Sequence, residues 1–296
     1  MSARVMNTRV LVNDFEYVLP SSLGEALRLL DEYGQDAEAL AGGTDLVIQM
    51  KMGRKAPRFV IDISKLEELK QLEDGETIRI GAGRRYIDVL RFLREQGRYH
   101  SLTEAIESIG KIQVLTVGTV GGNLCNGSPA ADTAPPLLTY HARVRVRSAH
   151  AERVIPLHEF YTGPGATVMA PNEIMIDVEF DAFPDGRASA FLKISRVACD
   201  ISKVTCAVAV QRDGETCTHC RVALGAVAPV PLRARSVEGA LEGRRIDALA
   251  ASQCAALVDE DISPIDDIRC SERYRREAAG VLFKDAFETA WERARC

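Results

Sequence analysis

The stretch TVGTVGGNLCNGSPAADTAPPLL, Thr116 to Leu138, decides how this chain is read. Gly121 and Gly122 follow a short apolar, strand-like run, and then come an asparagine, a cysteine, a serine, small alanines and an aspartate. Glycine has no Cβ, so it reaches positive φ and lets backbone N–H groups line a concavity. Such concavities take anions, phosphates above all. An earlier stretch, ALAGGTDL from Ala39 to Leu46, is built the same way. It has an apolar run, paired glycines Gly42 and Gly43, and a helix start near Thr44 whose partial positive charge favours an anion. Thr44 and Thr119 add hydroxyls and Asn123 an amide. One glycine pair before a polar residue is ordinary turn chemistry; two of them, each with a hydroxyl neighbour, point to a phosphate-bearing ligand.

The standard phosphate motifs are not met. G-x-x-x-x-G-K-[ST] is absent, and Gly81-Ala82-Gly83 is followed by Tyr86 where a dinucleotide fingerprint needs glycine. At 296 residues the chain has room for two or three subdomains. With 46% hydrophobic and 27% charged residues it has an ordinary globular composition. A net charge of -5 argues against nucleic acid as a partner. MSARVMNTRVLVNDFEYVLP lacks the apolar core of a signal peptide, and no run approaches the roughly 20 apolar residues that cross a membrane, so cytoplasmic residence is expected. The eight cysteines are then expected to be thiols. Only Cys217 and Cys220 form C-x-x-C; with no second pair they read as a polar hairpin tip and not as a metal site. The five histidines, His100, His141, His150, His158 and His219, are scattered and read as surface residues.

Ser22 with Glu25 has capping-box spacing, Leu23, Ala26, Leu27 and Leu30 repeat at helical period, and Gly34 is a stop. Strands are expected at Phe59 to Ile63, around Ile78 and Ile80, at RVRVRS (143–148) and, with weaker alternation, at EIMIDVEF (173–180). Helices are expected at YIDVLRFLREQ and SLTEAIESIG. Beyond a break at Pro184-Asp185-Gly186 the pattern becomes three strands, SAFLKIS, VTCAVAVQ and CRVALGAVAP, and then helices to the end. Mixed elements followed by a strands-then-helices unit indicate an α+β chain, divided at 1–67, 68–184 and 185–296.

ALAGGTDLVIQMKMG and GTVGGNLCNGSPAADTAPPLL, followed in order by FLKISR, DISKV, VALGAVAPVPLRA and DDIRCSERYRRE, resemble the FAD-binding medium subunit of the molybdenum hydroxylases, the xanthine dehydrogenase and carbon monoxide dehydrogenase type. The similarity covers nearly the whole chain. It implies two small α/β subdomains of the vanillyl-alcohol-oxidase kind that hold FAD between them, and a C-terminal α+β domain that closes over the flavin. It implies that Ala39, Leu40, Ala41, Gly42, Gly43, Thr44, Asp45 and Leu46 on one side, and Thr119, Val120, Gly121, Gly122, Asn123 and Cys125 on the other, bracket the diphosphate. Asp132 matches a carboxylate at the adenosine end, where it suits ribose hydroxyls. Ile109 matches a position beside the isoalloxazine, Met175 and Lys193 match further flavin-pocket positions, and Asp200-Ile201 matches the segment at the flavin edge. By composition alone Asp132 is also a turn residue, Ile109 a core residue and Lys193 a solvated strand residue.

The resemblance further implies an oxidoreductase subunit with no catalytic acid, base or metal of its own. Electrons would come from [2Fe–2S] centres on a small partner chain, fed by molybdopterin on a large one, and leave through FAD to an external acceptor. The complex would be a dimer of heterotrimers. Two departures stand out. There is no room after Asn123-Leu124-Cys125 for the cysteine-rich insertion that holds an extra cluster in some relatives, and Cys199 occupies a position that is often charged. A stand-alone flavoprotein oxidoreductase and a flavin-free scaffold subunit are the alternatives.

Overall fold

The structure, a computed structural model, describes residue 11, residues 13–247 and residues 249–295. The segment read for a targeting signal and Cys296 therefore fall mainly outside the described residues. No helix among the described residues is long and apolar enough to cross a membrane.

The first unit is a parallel sheet in the order β1-β3-β2, made of β1 (Glu16–Val18), β2 (Ala37–Leu40) and β3 (Phe59–Asp62). Helix α1 (Leu23–Tyr33) buries Leu23, Ala26, Leu27 and Leu30 against it. Ser22 Oγ caps α1 by accepting from Glu25 N at 3.2 Å. The reciprocal bond of the expected capping box is displaced by one residue: the Glu25 carboxylate accepts from Ser21 N at 2.7 Å and from Ser21 Oγ at 2.6 Å. Gly34, at φ 52°, ends the helix. Between β2 and β3 runs the short α2 (Leu46–Lys51).

The second unit is an antiparallel sheet in the order β4-β5-β10-β6-β7. Its strands are β4 (Leu72–Glu73), β5 (Thr77–Gly81), β6 (Arg143–Arg147), β7 (Glu152–Pro156) and β10 (Ile174–Asp181); β8 (Tyr161–Gly163) and β9 (Ala166–Thr167) pair separately. Val144 and Val146 of β6 point into the core beside Ile78, Ile80 and Val178. Arg143 and Arg145, on the other face, reach Glu179 of β10 at 3.1 and 3.2 Å. The weak alternation of β10 has a cause: the register shifts between Met175 and Asp177, and a bulge breaks the two-residue period. Five helices lie between β5 and β6: α3 (Tyr86–Gln96), α4 (His100–Ser108), α5 (Ile112–Leu115), α6 (Val120–Cys125) and α7 (Ala134–Thr139). A further short helix, α8 (Leu157–Phe160), follows β7. The run before the second glycine pair is thus helix α5, not strand, and Gly121 and Gly122 sit in the first turn of α6.

The third unit is the antiparallel sheet β11 (Arg187–Ile194), β12 (Val204–Asp213), β13 (Thr216–Gly225) and β14 (Leu232–Arg233), with helices α9 (Arg235–Leu241), α10 (Ala250–Cys254), α11 (Val258–Asp261) and α12 (Glu272–Arg293). Val204, Cys206, Val208 and Val210 of β12 pack with Ala279, Phe283 and Phe287 of α12. The alternate residues are small: Ala207 meets Ala105 of α4, and Ala209 joins the core of the second unit. Small side chains on that face let the helices of the second unit lie close to the sheet.

Cys217 and Cys220 are not at a hairpin tip. Both lie within β13, fully buried on the side of α12, because a bulge opposite Gln211 and Arg212 turns the two cysteines to one face. His219 between them is partly buried too, with Nε2 shielded from solvent and no partner among the described residues. The seven described cysteines are free thiols.

Candidate functional site: a cleft between two glycine segments

Ala39 to Leu46 and Thr116 to Asn123 are far apart in the chain and touch in the fold. A Cβ placed on Gly42 would stand 2.1 Å from the carbonyl oxygen of Val117, well inside any permitted contact. Gly43 lies at φ 71°, where a side chain is strained. Gly121 is held against Ala82, whose Cβ would be 2.4 Å from an added Cβ. Gly42 and Gly121 are therefore required by the close approach of chain to chain. Gly122 differs: an added Cβ there meets only Thr119 Oγ1, at 2.9 Å, and the residue borders the cleft.

The two segments also differ in what their backbones offer. Among the described residues, the N–H groups of Gly42, Gly43, Thr44 and Asp45 donate to no backbone carbonyl, while Gly43 O accepts from Val47 N at 3.1 Å as the chain enters α2. In the second segment three donors are already engaged. Gly121 N donates to Ala82 O at 3.1 Å, Asn123 N to Thr119 O at 3.1 Å, and Gly122 N to Thr119 Oγ1 at 3.0 Å. The first segment has the longer run of bare donors, because the second has coiled into a capped helix. It offers side chains instead: the Thr119 hydroxyl, which accepts from Gly122 and keeps its own proton to donate, and the Asn123 amide, whose Oδ1 accepts from Thr133 Oγ1 at 2.6 Å and leaves Nδ2 free.

Three cavities join along this contact. The central one, about 370 Å³, takes in Ala39, Ala41, Gly42 to Leu46, Ile109, Thr119, Gly122, Asn123 and Cys125. It shares Ala39, Ala41, Gly122 and Cys125 with a cavity of about 500 Å³ that reaches Met175. It shares Asp45, Ile109 and Asn123 with one of about 610 Å³ that reaches Asp132, Lys193 and Ile201. The cleft thus runs from Met175 at one end to the Asp132 region at the other. Val120 is turned away from it into the core, and Leu40 borders none of the three cavities; its side chain approaches Gly43 from behind.

Asp132 and Lys193, matched separately to the cofactor pocket, are one buried ion pair, with Lys193 Nζ on Asp132 Oδ2 at 2.7 Å; Lys193 is therefore not a solvated strand residue. The two residues are 61 positions apart in sequence, and Lys193 comes from β11 of the third unit. Burial pushes the Asp132 carboxyl up from its usual range, opposed by the charge and hydrogen bond of Lys193. Its Oδ1 is shielded from solvent and makes no hydrogen bond of normal geometry among the described residues, with the Ser202 hydroxyl close enough to favour the ionised carboxylate. Burial also raises Asp45. It pushes the Cys125 thiol up to about 12, so this cysteine is an apolar wall residue and not a nucleophile.

Several wall residues escaped the sequence reading. Gln49 Nε2 of α2 donates to Asn126 Oδ1 at 2.8 Å and bridges the two segments. Lys55 and Glu38 pair at 2.5 Å beside them. Tyr86 is buried in the cleft wall with its hydroxyl unpartnered among the described residues; at the head of α3 it reads only as a helix residue. Cys199 adopts φ 68° at the mouth near Ile201, which is 53% exposed.

A long cleft lined by a segment with four bare N–H groups and by two threonine hydroxyls has the donors for a diphosphate. This donor set fits FAD, and the architecture is that of a flavin-dinucleotide-binding protein. Residues 13–181 match the family described as the FAD binding domain in molybdopterin dehydrogenase, and residues 189–290 match the CO dehydrogenase flavoprotein C-terminal domain. The carbon monoxide dehydrogenase medium chain of Hydrogenophaga pseudoflava is 34% identical over 283 residues, covering 95% of this chain and 98% of that one. The xanthine dehydrogenase FAD-binding subunit of Escherichia coli O157:H7 is 31% identical over 279 residues, covering 93% and 95%. A chain of the solved carbon monoxide dehydrogenase of Hydrogenophaga pseudoflava superposes with a TM-score of 0.92 at 34% identity, over 96% of this chain and 99% of that one. The chain belongs to the FAD-binding medium subunits of the molybdenum hydroxylase family, and is an oxidoreductase subunit of that type.

Proposed function

We propose that this subunit relays electrons from [2Fe–2S] centres on a small partner chain to an external acceptor, with substrate oxidised at molybdopterin on a large partner chain, in a cytoplasmic dimer of heterotrimers. FAD, when bound, supplies the redox chemistry and exchanges electrons singly or in pairs. The chain's own residues bind and orient it. Gly42, Gly43, Thr44 and Asp45 present N–H groups to the diphosphate, and the Thr44 and Thr119 hydroxyls add O–H donors. Ile109, Asp132, Lys193 and Ile201 line one end of the cleft, and Ala39, Cys125 and Met175 wall the other. On this reading residues 1–67 and 68–184 clasp the dinucleotide and residues 185–296 close over it.

The observation that carries the proposal is the set of four unspent N–H groups at the meeting of the two glycine segments. Rapid mixing tests it. The oxidised flavin-loaded subunit is mixed with its dithionite-reduced iron–sulfur partner chain without oxygen. Bleaching of the visible flavin band in step with reoxidation of the clusters is expected; a flavin that stays oxidised contradicts the relay.

A further inference from the structure

A further cavity of about 560 Å³ adjoins the Gly42–Val117 contact and shares Gly42 and Thr119 with the flavin cleft. Its wall is strongly basic. Lys65 and Ser64 come from the turn after β3, in the first unit, while Arg84 and Arg85 come from the turn after β5, in the second. Lys70 completes the set, against only two carboxylates, Glu67 and Asp88. Those two are already engaged: Lys70 pairs with Glu67 at 2.8 Å and Arg85 with Asp88 at 2.9 Å. Lys65 and Arg84 make no ion-pair contact among the described residues; Asp62 feels the charge of Lys65 and Glu67 that of Arg84, but no carboxylate touches either cation, and both side chains stay open to a further anion on facing units. Arg84 Nε is shielded from solvent and has no acceptor among the described residues. That nitrogen faces inward, so an oxyanion in the hollow would meet the terminal nitrogens of the Arg84 guanidinium, which line the wall. Guanidinium presents a planar fork to phosphate oxygens, and an ammonium adds a point charge from a second direction. The Ser64 and Thr116 hydroxyls lie on the same wall.

We propose that this hollow is a binding site for a small phosphate-type oxyanion, separate from the diphosphate of FAD and bridging Lys65 of the first unit to Arg84 of the second. It goes beyond the electron-relay reading and does not depend on it. Because the two units meet at Gly42 and Val117, an anion held here also ties together the two segments that form the cleft.

The test is calorimetric titration of the flavin-loaded chain with inorganic phosphate, pyrophosphate and ADP in separate arms, at constant ionic strength set with chloride. Saturable binding in the phosphate or pyrophosphate arm identifies a free oxyanion as ligand; saturation with ADP alone identifies a nucleotide phosphate. Lys65→Gln with Arg84→Gln is expected to weaken binding by at least about tenfold, as two charge-assisted contacts are lost, with flavin per chain unchanged. Lys65→Gln alone, at an exposed position, gives a smaller loss and guards against misfolding of the double variant. Absence of saturable binding in every arm, or undiminished binding in the variants, overturns the proposal. Loss of flavin from a folded Lys65→Gln, Arg84→Gln protein overturns it too, because the hollow would then be part of the flavin site.

Discussion

Lys193 Nζ donates to Asp132 Oδ2 at 2.7 Å, with both side chains more than nine-tenths buried at one end of the cleft. Burying two charges is worthwhile only when each answers the other. Lys193→Met leaves an uncompensated buried carboxylate and is expected to cost about 3–5 kcal/mol, whereas Asp132→Asn combined with Lys193→Met recovers most of that loss. Urea unfolding of the single and double variants checks this. Equal destabilisation by single and double variants would show that the pair is not coupled.

Gly42→Ala puts a methyl group 2.1 Å from Val117 O, and both partners are backbone, so neither can swing aside. A loss of about 3 kcal/mol is expected, the upper end for overpacking. Gly122→Ala meets only the Thr119 hydroxyl, and glycine is a poor helix former, so its effect on stability stays within about 1 kcal/mol. Gly122→Val projects into the cleft and should lower flavin content in a chain that still folds. Thermal denaturation beside flavin quantification separates these cases; a Gly42→Ala protein as stable as the parent would mean that the two segments do not touch.

His219 and His141 stand on the face of β13 and the turn before β6. Burial first, and then Arg187 and Arg221, push His219 down to about 3. Burial and the charges of Arg233 and Arg221 push His141 down to about 4, and its Nε2 accepts from Arg221 Nε at 2.9 Å as a neutral ring must. An unfolded histidine takes a proton near pH 6.5. The unfolded chain therefore binds more protons than the native one as pH falls below that value, and stability declines from about pH 6.5 toward 4. His219→Gln should flatten that slope. Unfolding midpoints across this pH range, with histidine ring NMR, measure it; a His219 ring that titrates near its ordinary value contradicts the expectation.

Cys217 and Cys220 are buried within β13, so maleimide should label them only at the rate of opening of the sheet, and Cys217→Ser with Cys220→Ser should leave iron and zinc content unchanged. Labelling as fast as that of an exposed thiol, or loss of metal from the variant, would contradict their assignment as core residues.

Local signals were legible in the sequence; partnerships between distant residues were not. The Ser22 cap, the Gly34 stop and the RVRVR alternation depend on neighbours within a few positions, and they stand where the periods place them. The glycine pairs were visible as a departure from ordinary composition. What each glycine does was not, since Gly42 answers to Val117 and Gly121 to Ala82 across long loops. ETCTHC looked like a turn because it is polar. A bulge, set by pairing with β12, carried it into a strand and turned both cysteines inward. The Asp132–Lys193 pair and the Gln49–Asn126 bridge join different elements, and no spacing rule reports such contacts.

The most direct measurement is the flavin released on denaturing the purified chain, counted per polypeptide and identified as mono- or dinucleotide. The account predicts one FAD per chain, retained through gel filtration. A chain that folds but binds no FAD, even after incubation with an excess of it, would contradict the claim that the bare N–H groups of Gly42 to Asp45 hold a flavin diphosphate.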